Sequence, residues 1–176
     1  SEQEVNPAVV RPFLEGISTK LGITAIIQQN FLGLYTYKLR YQDGETLKVD
    51  FNYYPFPKIE TGVFWKKLEV SSIYDIAVNK IHTMGMKSRT RDYVDLYFIF
   101  TQSDYKPGEY LTRMRLDSQA KFDWPLEAKN LAAAFVKIKD LPDKDFPQML
   151  VPFDRQAMET FFLNLAKSLE KDIFKN

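Results

Sequence analysis

The sequence has no cysteine and a single histidine, His82. Without cysteine there is no disulfide frame, thiol nucleophile or zinc–thiolate site, and one histidine cannot build a histidine-rich metal centre. A hard cation held by carboxylates stays open. No apolar run approaches the roughly 20 residues needed to cross a bilayer, and the N-terminus lacks the basic-then-apolar order of a signal peptide. No membrane partner is expected, and the expected location is the cytoplasm. An excess of charge is missing too. Twenty-four Lys and Arg against 23 Asp and Glu leave +1, so no global field points to nucleic acid and any basic site must be local. What the chain does have is 45% hydrophobic and 15% aromatic residues over 176 positions. That is a folded, globular composition at a one-domain length. It begins at Ser1 without an initiator Met, which leads us to expect a processed or truncated piece of something longer.

Helical spacing of Val10, Phe13, Leu14, Ile17 and Leu21, with Asn6 able to cap, Pro7 at the first position and Gly22 at the end, predicts a first helix. "ITAIIQQN", "GLYTYKLRYQ" and "TLKVDFNYY" read as three strands. Register settles the turn between the last two. A three-residue loop, Gln42-Asp43-Gly44, sets Thr36 opposite Asp50 and Lys38 opposite Lys48, and collects Tyr35, Tyr37, Leu39, Tyr41, Leu47, Val49 and Phe51 on the other face. Gly44 is then left-handed. The polar face, with Thr36, Lys38, Arg40, Lys48, Asp50 and Asn52, is either washed by solvent or the floor for a charged ligand. "FWKKLEV" suggests a fourth, shorter strand.

Ser71 or Ser72 is expected to cap a helix over 72–86, interrupted by Gly85 and Met86, with Ile73, Ile76, Ala77, Ile81 and Met84 as its core set. A second helix is expected at about 89–102. Signals are weak from Ser103 to Trp124. A helix with Pro125 in its first turn, a connector bearing Pro142, Pro147 and Pro152, and a last helix capped by Asp154 with Phe161, Leu165, Leu169 and Ile173 at four-residue steps complete the reading. Asp143 and Asp145 have the spacing of a metal-binding pair, but they sit in the proline-flanked connector and are not read as one. His82 reads as a surface or capping residue.

Asp92 and Asp95 stand three apart, on one face of a helix otherwise filled by Tyr93, Val94, Leu96, Tyr97, Phe98, Ile99 and Phe100. Buried carboxylates need charged partners, and Lys80, Arg89 and Arg91 are the nearest candidates. Either these cations only neutralise the two carboxylates and pin two helices together, or their excess is left for a phosphate-bearing ligand.

"LEVSSIYDIAVNKIHTMGMKSRTRDYVDLYFI" resembles the signature of the AbiEii/AbiGii toxin family of nucleotidyltransferases: a helix with Asp and Lys, then an Arg, then an Arg/Lys-Asp-x-x-Asp-Leu-Tyr helix. "LKVDFNYYPFP" is similar to the family's strand bearing its third acidic residue, here Asp50. The resemblance implies a DNA polymerase β-like fold, magnesium (Mg2+), a nucleoside triphosphate as donor, an acceptor such as tRNA or another RNA, and an antitoxin protein as partner. It implies Asp50 and Lys80 as catalytic residues, Asp50 also as a metal-holding carboxylate and Lys80 near the triphosphate. Lys48, Arg89, Arg91, Asp92 and Asp95 are implied to bind nucleotide or brace the site. The family's opening Gly-Gly or Gly-Ser turn and Asp-x-Asp strand have no counterpart before the helix at residue 7.

The expectation is therefore an α+β chain: residues 1–102 a partial nucleotidyltransferase-like core lacking its first strands, with a mostly antiparallel or mixed sheet of about three to four strands, and residues 103–176 a C-terminal helical region. It is read as a portion of a transferase with little or no transfer of its own. The alternative is a non-catalytic interaction or RNA-binding module, for which Lys38, Arg40 and Lys48 are the basic residues. An exposed sheet edge makes a homodimer conceivable on this reading. All of these site assignments suppose that Asp50 and the helix cations face one shared hollow.

Overall fold

Asn6 accepts a hydrogen bond from the Ala8 N–H, Pro7 takes the first helical position, and Gly22 turns left-handed at φ 69°, so helix α1 runs Pro7–Leu21. The structure is a computed structural model describing residues 6–174. It is α+β and forms two compact units, Ser1–Phe56 and Pro57–Asn176, which part inside the expected 1–102 core.

In the first unit an antiparallel sheet carries β1 (Ile23–Phe31), β2 (Leu34–Tyr41) and β3 (Thr46–Phe51) in that order. Thr36 pairs with Asp50 and Lys38 with Lys48, as the side-chain pattern requires. The loop is the three-residue one: the Tyr41 N–H donates to the Glu45 carbonyl, the Gly44 N–H donates to the Tyr41 carbonyl, and Gly44 sits at φ 89°. Helix α1 covers the apolar face, where Leu14, Ile23, Tyr37 and Leu39 are buried with Val10, Ile17, Val49 and Phe51 around them. Two expectations shift. Phe13 and Leu21 are exposed because α1 turns only its Val10–Leu14–Ile17 stripe inward, and Leu47, near the open end of the hairpin loop, is half exposed.

The second unit opens with a separate two-stranded hairpin, β4 (Val63–Trp65) and β5 (Leu68–Val70). "FWKKLEV" is thus no single fourth strand. Lys66 adopts φ 57° and reverses the chain between two short strands. Helix α2 (Ile73–Lys87) starts at Ser72, whose hydroxyl accepts the Asp75 N–H. It continues through Gly85 and Met86 instead of breaking there. A Cβ at Gly85 would lie 2.1 Å from Leu126 Cδ1, so the glycine admits a neighbour and does not end the helix. Helix α3 (Thr90–Gln102) follows, and then α4 (Pro107–Phe122), which the weak sequence signals do not reveal.

Helix α5 (Ala128–Val136) begins later than expected. Leu126 donates its N–H to Gln119 Oε1 and accepts Arg115 Nη1–H at its carbonyl, so the residues after Pro125 are held extended against α4. Two 3₁₀ turns, Lys137–Asp140 and Asp143–Asp145, lead to α6 (Arg155–Ser168), capped by Asp154, and to the short α7 (Glu170–Ile173). Tyr74, Ile81, Tyr93, Leu96, Met114, Leu131, Phe135, Met158 and Phe162 form the core of this unit. No helix among the described residues is long and apolar enough to cross a membrane.

Candidate functional site

The buried face of α2 is Tyr74, Ala77, Val78, Ile81 and Met84. The expected stripe included Ile73 and Ile76, but Ile73 is half exposed and Ile76 only partly covered. Lys80 therefore emerges at the margin of the core, where it reaches α3. Its Nζ lies 2.9 Å from Asp92 Oδ1 and 2.5 Å from Asp95 Oδ2.

Asp92 is wholly buried at the first turn of α3. Its Oδ2 accepts the Arg89 backbone N–H at 3.1 Å and Arg89 Nε–H at 3.0 Å, and its Oδ1 accepts Arg89 Nη2–H at 3.2 Å beside the Lys80 ammonium. Backbone cap, forked guanidinium and ammonium together satisfy both oxygens. Burial pushes the Asp92 carboxyl up, but the hydrogen bonds from Arg89 and Lys80 outweigh it and hold the group below the usual carboxylate range. Asp95 differs. Its side chain is 45% exposed, so only one of the two carboxylates needs the partners that burial demands.

Arg89, Arg91, Ser88 and Thr90 line one side of an open hollow of about 480 Å³ at the head of α3, with Leu141, Asp145 and Pro147 also in its lining. Arg89 spends two of its nitrogens on Asp92 and stays half exposed, while Arg91 has no ion-pair partner among the described residues. The structure thus brings Lys80, Arg89, Asp92 and Asp95 into one ion-paired cluster and sets Arg91 beside it.

Asp50 and Lys48 belong to the sheet of the first unit. Lys48 Nζ lies 2.8 Å from Asp50 Oδ2, and Thr36 Oγ1–H donates to Asp50 Oδ1 at 2.6 Å. The Lys48 and Thr36 hydrogen bonds hold the Asp50 carboxyl below its ordinary range. Among the described residues no three His, Cys, Asp or Glu side chains converge as a metal site. On the polar sheet face Asp50 stands among Thr36, Lys38, Arg40 and Lys48. Two-ion phosphoryl transfer needs several carboxylates around ions about 4 Å apart. The donor set described here does not fit such a centre, and no chemical step is routed through one.

The description "Nucleotidyl transferase AbiEii toxin, Type IV TA system" matches residues 4–170. The chain belongs to that family. No curated protein and no solved structure matches it. The AbiEii match covers nearly the whole chain, so α4, α5 and α6 are part of the family domain along with the sheet and the α2–α3 pair. Membership gives the chain the family's nucleotidyltransferase toxin role in a toxin–antitoxin system.

Sequence reasoning did not find a second buried ion pair. Lys121 Nζ lies 2.6 Å from Asp75 Oδ1, and Asp75 also accepts the Ile59 and Glu60 N–H groups and the Ser72 hydroxyl. Asp75 reads in the sequence as an acid in the first turn of α2, and its partner lies in the helix that the sequence hides. His82 is partly buried: its ring stacks on Phe122 at 3.9 Å, and burial lowers its pKa.

Proposed function

We propose that the protein binds a nucleoside triphosphate at the head of α3 and serves nucleotide transfer to an RNA acceptor such as tRNA, in which an acceptor hydroxyl displaces pyrophosphate from the α-phosphorus. The observation that carries this reading is the α3 hollow, where Arg91 is unspent and Arg89 is held rigid by Asp92. A helix start favours anions, and a braced guanidinium fork suits phosphate oxygens. Lys80, Asp92 and Asp95 act here as positioning residues, fixing Arg89. Asp50, whose carboxyl Lys48 and Thr36 hold below its ordinary range, is proposed as a catalytic carboxylate of the sheet.

Titration calorimetry with a nucleoside triphosphate and magnesium tests the first part. Saturable binding that Arg91→Ala weakens at least several-fold is expected; no binding by the parent protein overturns it. For Asp50, an unchanged melting temperature with loss of nucleotide transfer in Asp50→Ala is expected, wherever transfer by the protein is measured.

A second reading has one specific observation in its favour. Lys38, Arg40 and Lys48 share one face of the sheet, the basic stripe of an RNA-binding module that performs no chemistry. On the first reading we propose that these 176 residues alone bind nucleotide with little or no transfer.

A further inference from the structure

The β4–β5 hairpin exposes more apolar surface than its size accounts for. Val63 pairs with Val70 and Trp65 with Leu68, so these four side chains share one face. Their exposures are 73%, 45%, 65% and 61%. On the opposite face Phe64 is also exposed beside Glu69, whose carboxylate accepts the Gly62 N–H and pairs with Lys58. Gly62 has no room for a side chain, since a Cβ there would fall 1.7 Å from the Val70 carbonyl oxygen. The base of the hairpin is therefore closed tightly while its tip stands free. At the tip Lys66 holds its ammonium 4.8 Å from the centre of the Trp65 ring, and Lys67 follows. Glu69 is occupied by Lys58, so within the hairpin the two tip lysines are left uncancelled.

An exposed tryptophan ring with one ammonium over it and a second lysine next in the chain has the chemistry that holds unpaired nucleotides: a base stacks on the open side of the ring while the lysines take the neighbouring phosphates. Stable protein partners ordinarily meet about 20–30 residues a side. Two strands of three residues cannot supply that, whereas one stacked base needs a single ring. The hairpin also ends two residues before α2, and Lys80 lies seven residues into that helix, about 10 Å along its axis at the helical rise. Hairpin and Arg89-bracing cluster therefore stand off the same rod.

We propose that the β4–β5 hairpin grips the unpaired end of the acceptor RNA, with a base stacked on Trp65 and the flanking phosphates on Lys66 and Lys67. This rests on the reading that the acceptor is RNA.

The experiment measures binding of a short single-stranded oligoribonucleotide, without nucleoside triphosphate, to a Trp124→Phe background in which Trp65 is the sole tryptophan. Binding is expected to quench its fluorescence. Trp65→Ala should weaken affinity about tenfold or more, with Trp65→Phe retaining most of it. Lys66→Ala with Lys67→Ala should flatten the dependence of log affinity on log salt by about 1.4, the share of two phosphates on a single strand.

RNA affinity unchanged by Trp65→Ala overturns the proposal. So does self-association, or retention on anionic phospholipid vesicles, that Trp65→Ala abolishes while RNA binding persists. If Trp65→Ala melts below the parent, Trp65→Phe and the lysine pair decide alone. Failure of triphosphate binding at Arg91 with these effects intact removes the proposed function and leaves the hairpin assignment standing.

Discussion

Lys121 Nζ and Asp75 Oδ1 stand 2.6 Å apart with both side chains almost entirely removed from solvent. The pair joins the last turn of α4 to the first turn of α2, and through the Ile59 and Glu60 N–H groups it also holds the segment that precedes the hairpin. Removing one member of such a pair leaves a buried charge without its counterion. Lys121→Met is therefore expected to cost about 3–5 kcal/mol, read as the shift in a denaturant or thermal unfolding midpoint.

The two carboxylates of α3 should behave unequally. Asp92 is fully buried and takes its bonds from Arg89 and Lys80, so Asp92→Ala removes the cap of α3 and several charge-assisted hydrogen bonds, while Lys80 keeps Asp95 and the half-exposed Arg89 turns to solvent; it is expected to cost about 2–3 kcal/mol. Asp95 is 45% exposed and shares only Lys80, and Asp95→Ala should cost about 1 kcal/mol or less. Equal losses in the two unfolding curves would contradict this account of the cluster.

Acid should act through the same groups. For Asp75, as for Asp92, burial raises the carboxyl and hydrogen bonds outweigh it, Lys121 foremost for Asp75, so both folded-state values lie below the ordinary 3.8. A depressed folded value means the stabilisation is complete above the unfolded value and drains away as pH falls from about 4 through the folded values. Stability measured from pH 7 downward should hold until that window and then fall. Asp92→Asn should lower the plateau and flatten the acid limb.

Charge in the α3 hollow can be tested by removal. Asp145 lines the hollow together with Arg89 and Arg91, and its carboxylate opposes an incoming phosphate. Asp145→Asn is expected to tighten triphosphate binding several-fold, with the gain shrinking as salt is raised, measured by calorimetric titration.

Much of this architecture was legible before any coordinates. The β2–β3 register followed from keeping Tyr37, Leu39 and Val49 off the face that carries Thr36 and Asp50, because a slip by one residue inverts every side chain. The pairing of Asp92 with Lys80 and Arg89 followed from placing a carboxylate on a mostly apolar helix. Helix α4 was hidden for a physical reason. Its inward positions are Leu111, Met114, Ser118 and Lys121, so half of the stripe that should read as apolar is polar. The inward face of α2 was misjudged at Ile73 and Ile76 because Tyr74 and Val78 fit the same periodicity, and only packing against α4 and α5 chooses between the two stripes.

The double grip of Lys80 has a mechanical consequence. Asp92 and Asp95 are three residues apart, about 4.5 Å along the axis of α3. Arg89 clasps Asp92 from the cap of α3 itself, so that bond travels with the helix, and it is Lys80 that reaches across from α2 to hold both carboxylates at once. A slide of α3 by one turn in either direction would carry one carboxylate out of the ammonium's reach. The two helices thus have a single seat, and the arginines at the head of α3 are carried on a ratchet with only one tooth.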